Sequence, residues 1–154
     1  MDRQKLKNMF SKSTEYALRA TIYIAQKSDE NNKLGIEEIA TSIGSPKHFT
    51  GKLLQILTKD NKIISSSRGP NGGFYLTAKA KKLPVQKILA AMGEDEVLSK
   101  CILGLNECSE ECPCPMHNEY KHIKKKLIAL FQKKTIADLA NDMNTQRLFI
   151  KNVI

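Results

Sequence analysis

Cys101, Cys108, Cys112 and Cys114 are all the cysteines of a 154-residue chain, and they fall in one stretch, CILGLNECSEECPCPMH, that His117 closes. Thiols gathered in this way serve as a disulfide framework, as ligands to a metal, or as partners in thiol exchange. The opening MDRQKLKNMFSKS is basic and polar and lacks the apolar run of a secretory leader, and no stretch approaches the length of a membrane span. The expectation is a reducing cytoplasm with no membrane association, where disulfides seldom persist and clustered cysteines bind metal or do redox chemistry. Six residues separate Cys101 from Cys108, five separate Cys108 from Cys114, and two separate Cys114 from His117. Structural zinc favours closely spaced ligand pairs facing each other, and that pairing is missing. Three thiolates spread around one irregular loop suit an iron–sulfur cluster instead, because its inorganic core is larger than a single ion. Pro113 and Pro115 flank Cys114 and restrict the backbone that aims its thiolate. Glu107, Glu110 and Glu111 surround the loop with negative charge.

Such a loop needs a scaffold. With 41% hydrophobic residues, a chain of this length buries one sizeable core rather than two. Its net charge is +9, of which residues 1–80 carry +6, and an excess of that size invites an anionic partner such as nucleic acid. In the same half, TEYALRATIYIAQKS (14–28) sets Ala17, Leu18, Thr21, Ile22, Ile24 and Ala25 at helical spacing. IEEIATSIG reads as a short helix that Gly44 ends. SPKHFTGKLLQILTKDNKII then opens another, with Ser45 as cap and Pro46 at the first helical position. Two short helices across a tight glycine turn form a helix-turn-helix.

In the second of these helices Phe49, Leu53, Ile56 and Leu57 fall on one stripe, leaving Lys47, His48, Thr50, Gly51, Lys52 and Gln55 on other faces. Long polar donors reach base edges and phosphates, and a glycine permits close approach, so this face has what a helix needs in a major groove. IISSSRGPNGGFYLT (63–77) supplies two β-prone runs around a Gly/Pro/Asn turn, a hairpin directly after the proposed recognition helix. This hairpin is a wing, with Arg68 placed to enter a minor groove beside Gly69 and Asn71. Downstream of the cysteines, EYKHIKKKLIALFQKK places Ile123, Leu127, Leu130 and Phe131 on one face, with Lys124, Lys125 and Lys126 around them. A long helix with a narrow apolar stripe suits a partner helix. TIADLANDM follows as a last short helix capped by Thr135.

The motifs TEYALRA, IEEIATSIGSPKHFTGKLLQIL and RGPNGGFYL, followed by a cysteine loop and a long helix, resemble the Rrf-two family of bacterial winged-helix regulators over about residues 9–143. The resemblance implies a mainly α fold with a small β-hairpin wing: a winged helix-turn-helix (9–80), then a cysteine-loop sensor and dimerisation region (81–143), with 1–8 and 144–154 as peripheral ends. It implies a two-iron or four-iron cluster held by Cys101, Cys108 and Cys114, the fourth ligand being His117 or Glu15 of the partner subunit. Cys112 departs from the three-cysteine pattern and stands as an alternative ligand or a resolving thiol. The implied DNA contacts are Ser45, Lys47, His48, Thr50, Gly51, Lys52, Gln55, Arg68, Gly69 and Asn71. A homodimer would set two recognition helices about one DNA turn or slightly more apart and read a near-palindromic double-stranded operator. No nucleophile and base arrangement, phosphate-binding glycine loop or cofactor fingerprint supports an enzyme. The alternatives are a metal-free thiol-redox or zinc-binding regulator on the same fold, or a redox or cluster-carrier protein that leaves the basic helix and wing without a task.

Overall fold

The computed structural model describes residues 8–59 and 63–152. Residues 1–7 and 153–154, parts of the two ends to which the sequence assigns no function, lie outside that range, as do residues 60–62 of the stretch read as the recognition helix and its exit. The fold is mostly helical with one two-stranded antiparallel hairpin. The first helix, α1 (Lys12–Lys27), begins two residues before the predicted start, because the Ser11 hydroxyl caps it by accepting from the Thr14 N–H at 3.2 Å. Its buried stripe of Thr14, Ala17, Ala20, Thr21, Ile24 and Ala25 lies along the centre of the core. Small residues at Ala17 and Ala20 let neighbouring helices approach closely. Helix α2 (Ile36–Ile43) buries Ile39, Ala40 and Ile43 and ends on Gly44 at φ 69, the left-handed conformation that favours glycine.

Helix α3 (Lys47–Leu57) differs from expectation at both ends. Pro46 is its N-cap, with φ −60 and ψ 141, rather than its first helical residue. Thr58 caps the C-terminus at residue 57. Leu53, Leu54 and Leu57 are the buried stripe, while Ile56, assigned to the stripe on spacing, is 45% exposed. The wing pairs β1 (Ser65–Ser67) with β2 (Gly73–Tyr75) in the register Ser65↔Tyr75, Ser66↔Phe74 and Ser67↔Gly73. It is also tied to the body. Leu34 and Phe74 exchange backbone hydrogen bonds of 2.9 and 2.8 Å, so the loop before α2 acts as a short third strand.

After the wing come α4 (Ala78–Lys81), α5 (Gln86–Ala91) and a 3-10 turn (Asp95–Leu98). Ile88 and Leu89 of α5 are fully buried. Glu94, just past α5, reaches back across 83 positions to accept from the Ser11 N–H at 3.0 Å and from the Ser11 hydroxyl at 3.0 Å. Partial burial pushes its carboxyl up, but the hydrogen bonds from Thr14 and Ser11 outweigh that and hold it below the ordinary carboxylate range. A depressed folded-state pKa means the contact stabilises the fold at neutral pH and loses its effect as pH falls through the folded value. Glu94→Gln is therefore expected to cost about 1–2 kcal/mol at pH 7, with the difference from the parent shrinking below about pH 4, measurable by urea unfolding at both pH values.

The long helix α6 (His117–Lys133) buries only His117. It touches the 3-10 turn, and its far end is held where Phe131 meets Phe10 edge to face at 5.7 Å. Of the apolar face expected on it, Phe131 packs against the core, whereas Ile123 and Leu130 are 62% and 52% exposed and are left uncovered by the described residues. Helix α7 (Ile136–Thr145) starts at a capping box between Thr135 and Asp138 and packs along α1, burying Ile136 and Ala140. A short bridge between Pro84 and Thr135 fixes the junction of α6 and α7. The core thus draws on residues on both sides of position 80. No helix among the described residues is long and apolar enough to cross a membrane.

Candidate functional site

The cysteine loop spans the gap between the 3-10 turn and α6, turning at Gly104 with φ 79. Cys101 is buried at its start, Cys108 and Cys114 are half-buried, and Cys112 is exposed. The backbone N–H groups of Leu105 and Leu103 point at the Cys101 sulfur. With help from the Cys114 side chain and the Gly104 N–H, and against the effect of burial, they hold its thiol below the ordinary range. Converging N–H donors stabilise a thiolate as they would any anion. The loop therefore favours the thiolate form of Cys101.

The second grouping is Cys108 with His117. The Cys108 Sγ lies 3.4 Å from His117 Nδ1. His117 opens α6 and is 4% exposed, and its backbone N–H donates to the Cys114 carbonyl at 2.9 Å. Its Nε2 is 3.3 Å from Glu110 Oε1 but outside hydrogen-bonding geometry, so among the described residues this buried nitrogen has no hydrogen-bond partner. The facing imidazole and then Lys121, 3.5 Å away, hold the Glu110 carboxyl below its ordinary range. Burial of His117 was not legible from spacing alone.

The loop brings Cys101 to Cys114 and Cys108 to His117. Cys112 stands apart, its N–H donating to the Ser109 hydroxyl at 3.3 Å on the outside of the turn. Among the described residues, no three His, Cys, Asp or Glu side chains converge on a point suited to one metal ion. Cys108 also lines an open cleft of about 600 Å³ with Glu96, Ser99, Lys100, Glu107 and Lys124. Glu15 is not drawn to the cysteines of its own chain: it accepts from the Asn8 amide at 3.0 Å and faces a different cleft, beside Glu96, Val97 and Lys100.

At the helix-turn-helix, Lys47, His48, Lys52 and Gln55 are exposed on α3 as expected. Lys47 Nζ is 2.6 Å from Glu37 Oε1, an exposed pair that holds the lysine at the start of the helix. Two expectations are corrected. Thr50 is fully buried and its hydroxyl donates to the Pro46 carbonyl at 2.9 Å, so it secures the first turn of α3 and presents nothing to a groove. Ser45 is buried at 8% exposure, and its hydroxyl points to the Pro46 carbonyl at 3.4 Å rather than capping the helix. Gly51 is half-buried: a Cβ there would stand 3.3 Å from Ile36 Cδ1, so packing against α2 accounts for the glycine. Arg68, Gly69 and Asn71 are exposed at the wing tip.

The Rrf2 family, described as "Iron-dependent Transcriptional regulator", matches residues 10–142. A putative HTH-type transcriptional regulator of Aquifex aeolicus is 33% identical over 135 residues, covering 86% of this chain and 92% of that protein. The HTH-type transcriptional regulator NsrR of Oceanobacillus iheyensis is 32% identical over 133 residues, covering 83% and 86%. Among solved structures, CymR, the global cysteine regulator of B. subtilis, superposes with a TM-score of 0.68 at 20% identity, covering 86% of this chain and 95% of that one, a likeness of fold.

Proposed function

Because this chain belongs to the Rrf2 family of transcriptional regulators, we propose that it binds a near-palindromic DNA operator as a homodimer and that an iron–sulfur cluster on the cysteine loop sets that affinity. The observation that carries this reading is the donor set: a buried Cys101 thiol that backbone N–H groups hold below its ordinary range, two further half-buried thiols, and a buried imidazole whose Nε2 lacks a hydrogen-bond partner among the described residues. Buried polar atoms are seldom left unpaired, and soft thiolates with an imidazole match the ligand chemistry of a cluster. Cys101, Cys108, Cys114 and His117 would hold it, with Glu15 of the partner subunit as the alternative fourth ligand. When bound, the group supplies an iron centre reactive toward oxygen and nitric oxide.

The chain's own residues do the rest. The N–H cup favours the thiolate form of Cys101, the cleft beside Cys108 admits small molecules, and His117 ties the order of the loop to the first turn of α6. Lys52, Gln55 and Arg68 face outward for DNA, and the exposed Ile123 and Leu130 of α6 meet a second copy. Ile123→Asp combined with Leu130→Asp is expected to turn a dimer into monomers in sedimentation velocity, while circular dichroism stays unchanged because neither side chain is buried.

The test is the visible absorption spectrum of anaerobically purified protein with iron, sulfide and zinc measured on the same sample. Charge-transfer bands with matched iron and sulfide are the expected result. Colourless protein that takes up no iron on reconstitution overturns the cluster reading. A thiol switch is the second reading, favoured by the contact between the Cys101 and Cys114 side chains. Peroxide treatment followed by peptide mass spectrometry identifies it by a disulfide between those two residues.

A further inference from the structure

The segment after α7 lies outside the family match, yet it is not a loose end. From Gln146 the chain runs back across the molecule: Ile150 is half-buried against the core, and the Lys151 Cβ comes within 3.4 Å of where a Cβ on Gly44 would stand. Gly44 is the turn of the helix-turn-helix. Lys151 is therefore seated beside the start of α3, the end of a recognition helix that meets the bases.

The neighbourhood is basic. Arg19 reaches the carbonyl of Ile43, the residue before the turn, at 3.5 Å, and exposed Lys47 and His48 open α3. The first turn of α3 contains no acidic residue. Glu37, from the first turn of α2, pairs with Lys47 and offsets its charge, and Glu38 accepts from the Tyr23 hydroxyl. Residues 146–154 include Arg147 and Lys151 and no acid, and among the described residues neither of the two forms an ion pair. A lysine whose Cβ sits against the turn at Gly44, whose neighbour Ile150 packs on the core, and whose ammonium has no ion-pair partner among the described residues, set beside a recognition helix, has the chemistry of a phosphate contact.

We propose that residues 146–152 are a DNA-contacting arm, docked on the helix-turn-helix turn by Ile150, that places Lys151 on the DNA backbone flanking the groove occupied by α3. This rests on the DNA-binding reading above and adds a sequence-independent contact to it. The docking also accounts for an apolar residue at position 150 in an otherwise exposed tail.

The test uses the full chain and a duplex enriched from a random-sequence pool by that chain, titrated at several salt concentrations. Lys151→Ala is expected to weaken binding about threefold per protomer and to make the salt dependence shallower by about 0.9 per lost contact. Lys151→Glu should weaken it further and Lys151→Arg should restore both affinity and slope, with thermal melting unchanged in all three. Parent-like affinity and slope in Lys151→Ala overturns the arm, as does weaker binding with an unchanged slope and a lowered melting temperature. If the parent chain enriches no duplex, the DNA-binding reading falls and the arm with it; if the parent binds and the variants match it, only the arm falls.

Discussion

Replacing Cys108 with alanine should reduce bound iron from a full cluster per chain to none, while Cys112→Ala should keep it all. The two thiols lie four positions apart in one loop, but their surroundings differ. Cys108 sits half-buried at 3.4 Å from His117 Nδ1, at the edge of an open cleft. Cys112 is exposed on a turn shaped by the Ser109 hydroxyl and, among the described residues, its thiol has no hydrogen-bond partner. Neither substitution removes core volume, so unfolding free energy in the metal-free state should change by less than about 0.5 kcal/mol. Iron analysis and the visible spectrum of both variants, prepared anaerobically, check this. Full iron in Cys108→Ala would remove that residue from the ligand set, and loss of iron in Cys112→Ala would bring the fourth thiol into it.

The second large effect concerns the wing. At Gly73 φ is +148, and a Cβ would stand 2.6 Å from the Leu34 carbonyl oxygen, against backbone that cannot step aside. Gly73→Ala must therefore break the Leu34–Phe74 bridge or strain β2, and a cost of about 2–4 kcal/mol is expected from the combined clash and backbone penalty. Gly69, at φ +99 with open space around it, is the control: Gly69→Ala should cost about 1 kcal/mol, the conformational penalty alone. Urea unfolding separates the two. Operator binding should fall more in Gly73→Ala, since the wing is held in place by its pairing to the loop before α2.

The helix-turn-helix and the wing were legible because they depend on local signals: apolar residues at helical spacing, a glycine at a left-handed turn, and a Gly/Pro/Asn hairpin. The misreadings occur where tertiary packing decides. Thr50 is polar and looked available, but it lies on the inward side of the first turn of α3, and its hydroxyl is absorbed into a bond with the Pro46 carbonyl. Ile56 is apolar and looked buried, but Leu54 takes the inward position. The cysteine spacing marks a candidate site in the sequence; the division into Cys101 with Cys114 and Cys108 with His117 was not legible, because an irregular loop has no periodicity from which to read it. The return of α7 to α1 and the seating of Ile150 depend on contacts over more than a hundred positions, for which one sequence holds no local mark.

The bridge between Pro84 and Thr135 gives α6 a fulcrum. At that end the Lys134 carbonyl accepts from Val85, the Ile136 N–H donates to Leu83, and α7 is packed onto α1, so the junction moves with the DNA-binding body. The other end carries His117 and the thiols. Seventeen residues of helix make a lever about 25 Å long, so a five-degree swing about the junction carries the cysteine end about 2 Å. In the proposed homodimer, with Ile123 and Leu130 of α6 held against a second copy, the same swing would rotate each DNA-binding body against its twin. The gearing between a small rearrangement at the proposed ligands and the separation of the two recognition helices of such a dimer would then be set by the length of one helix.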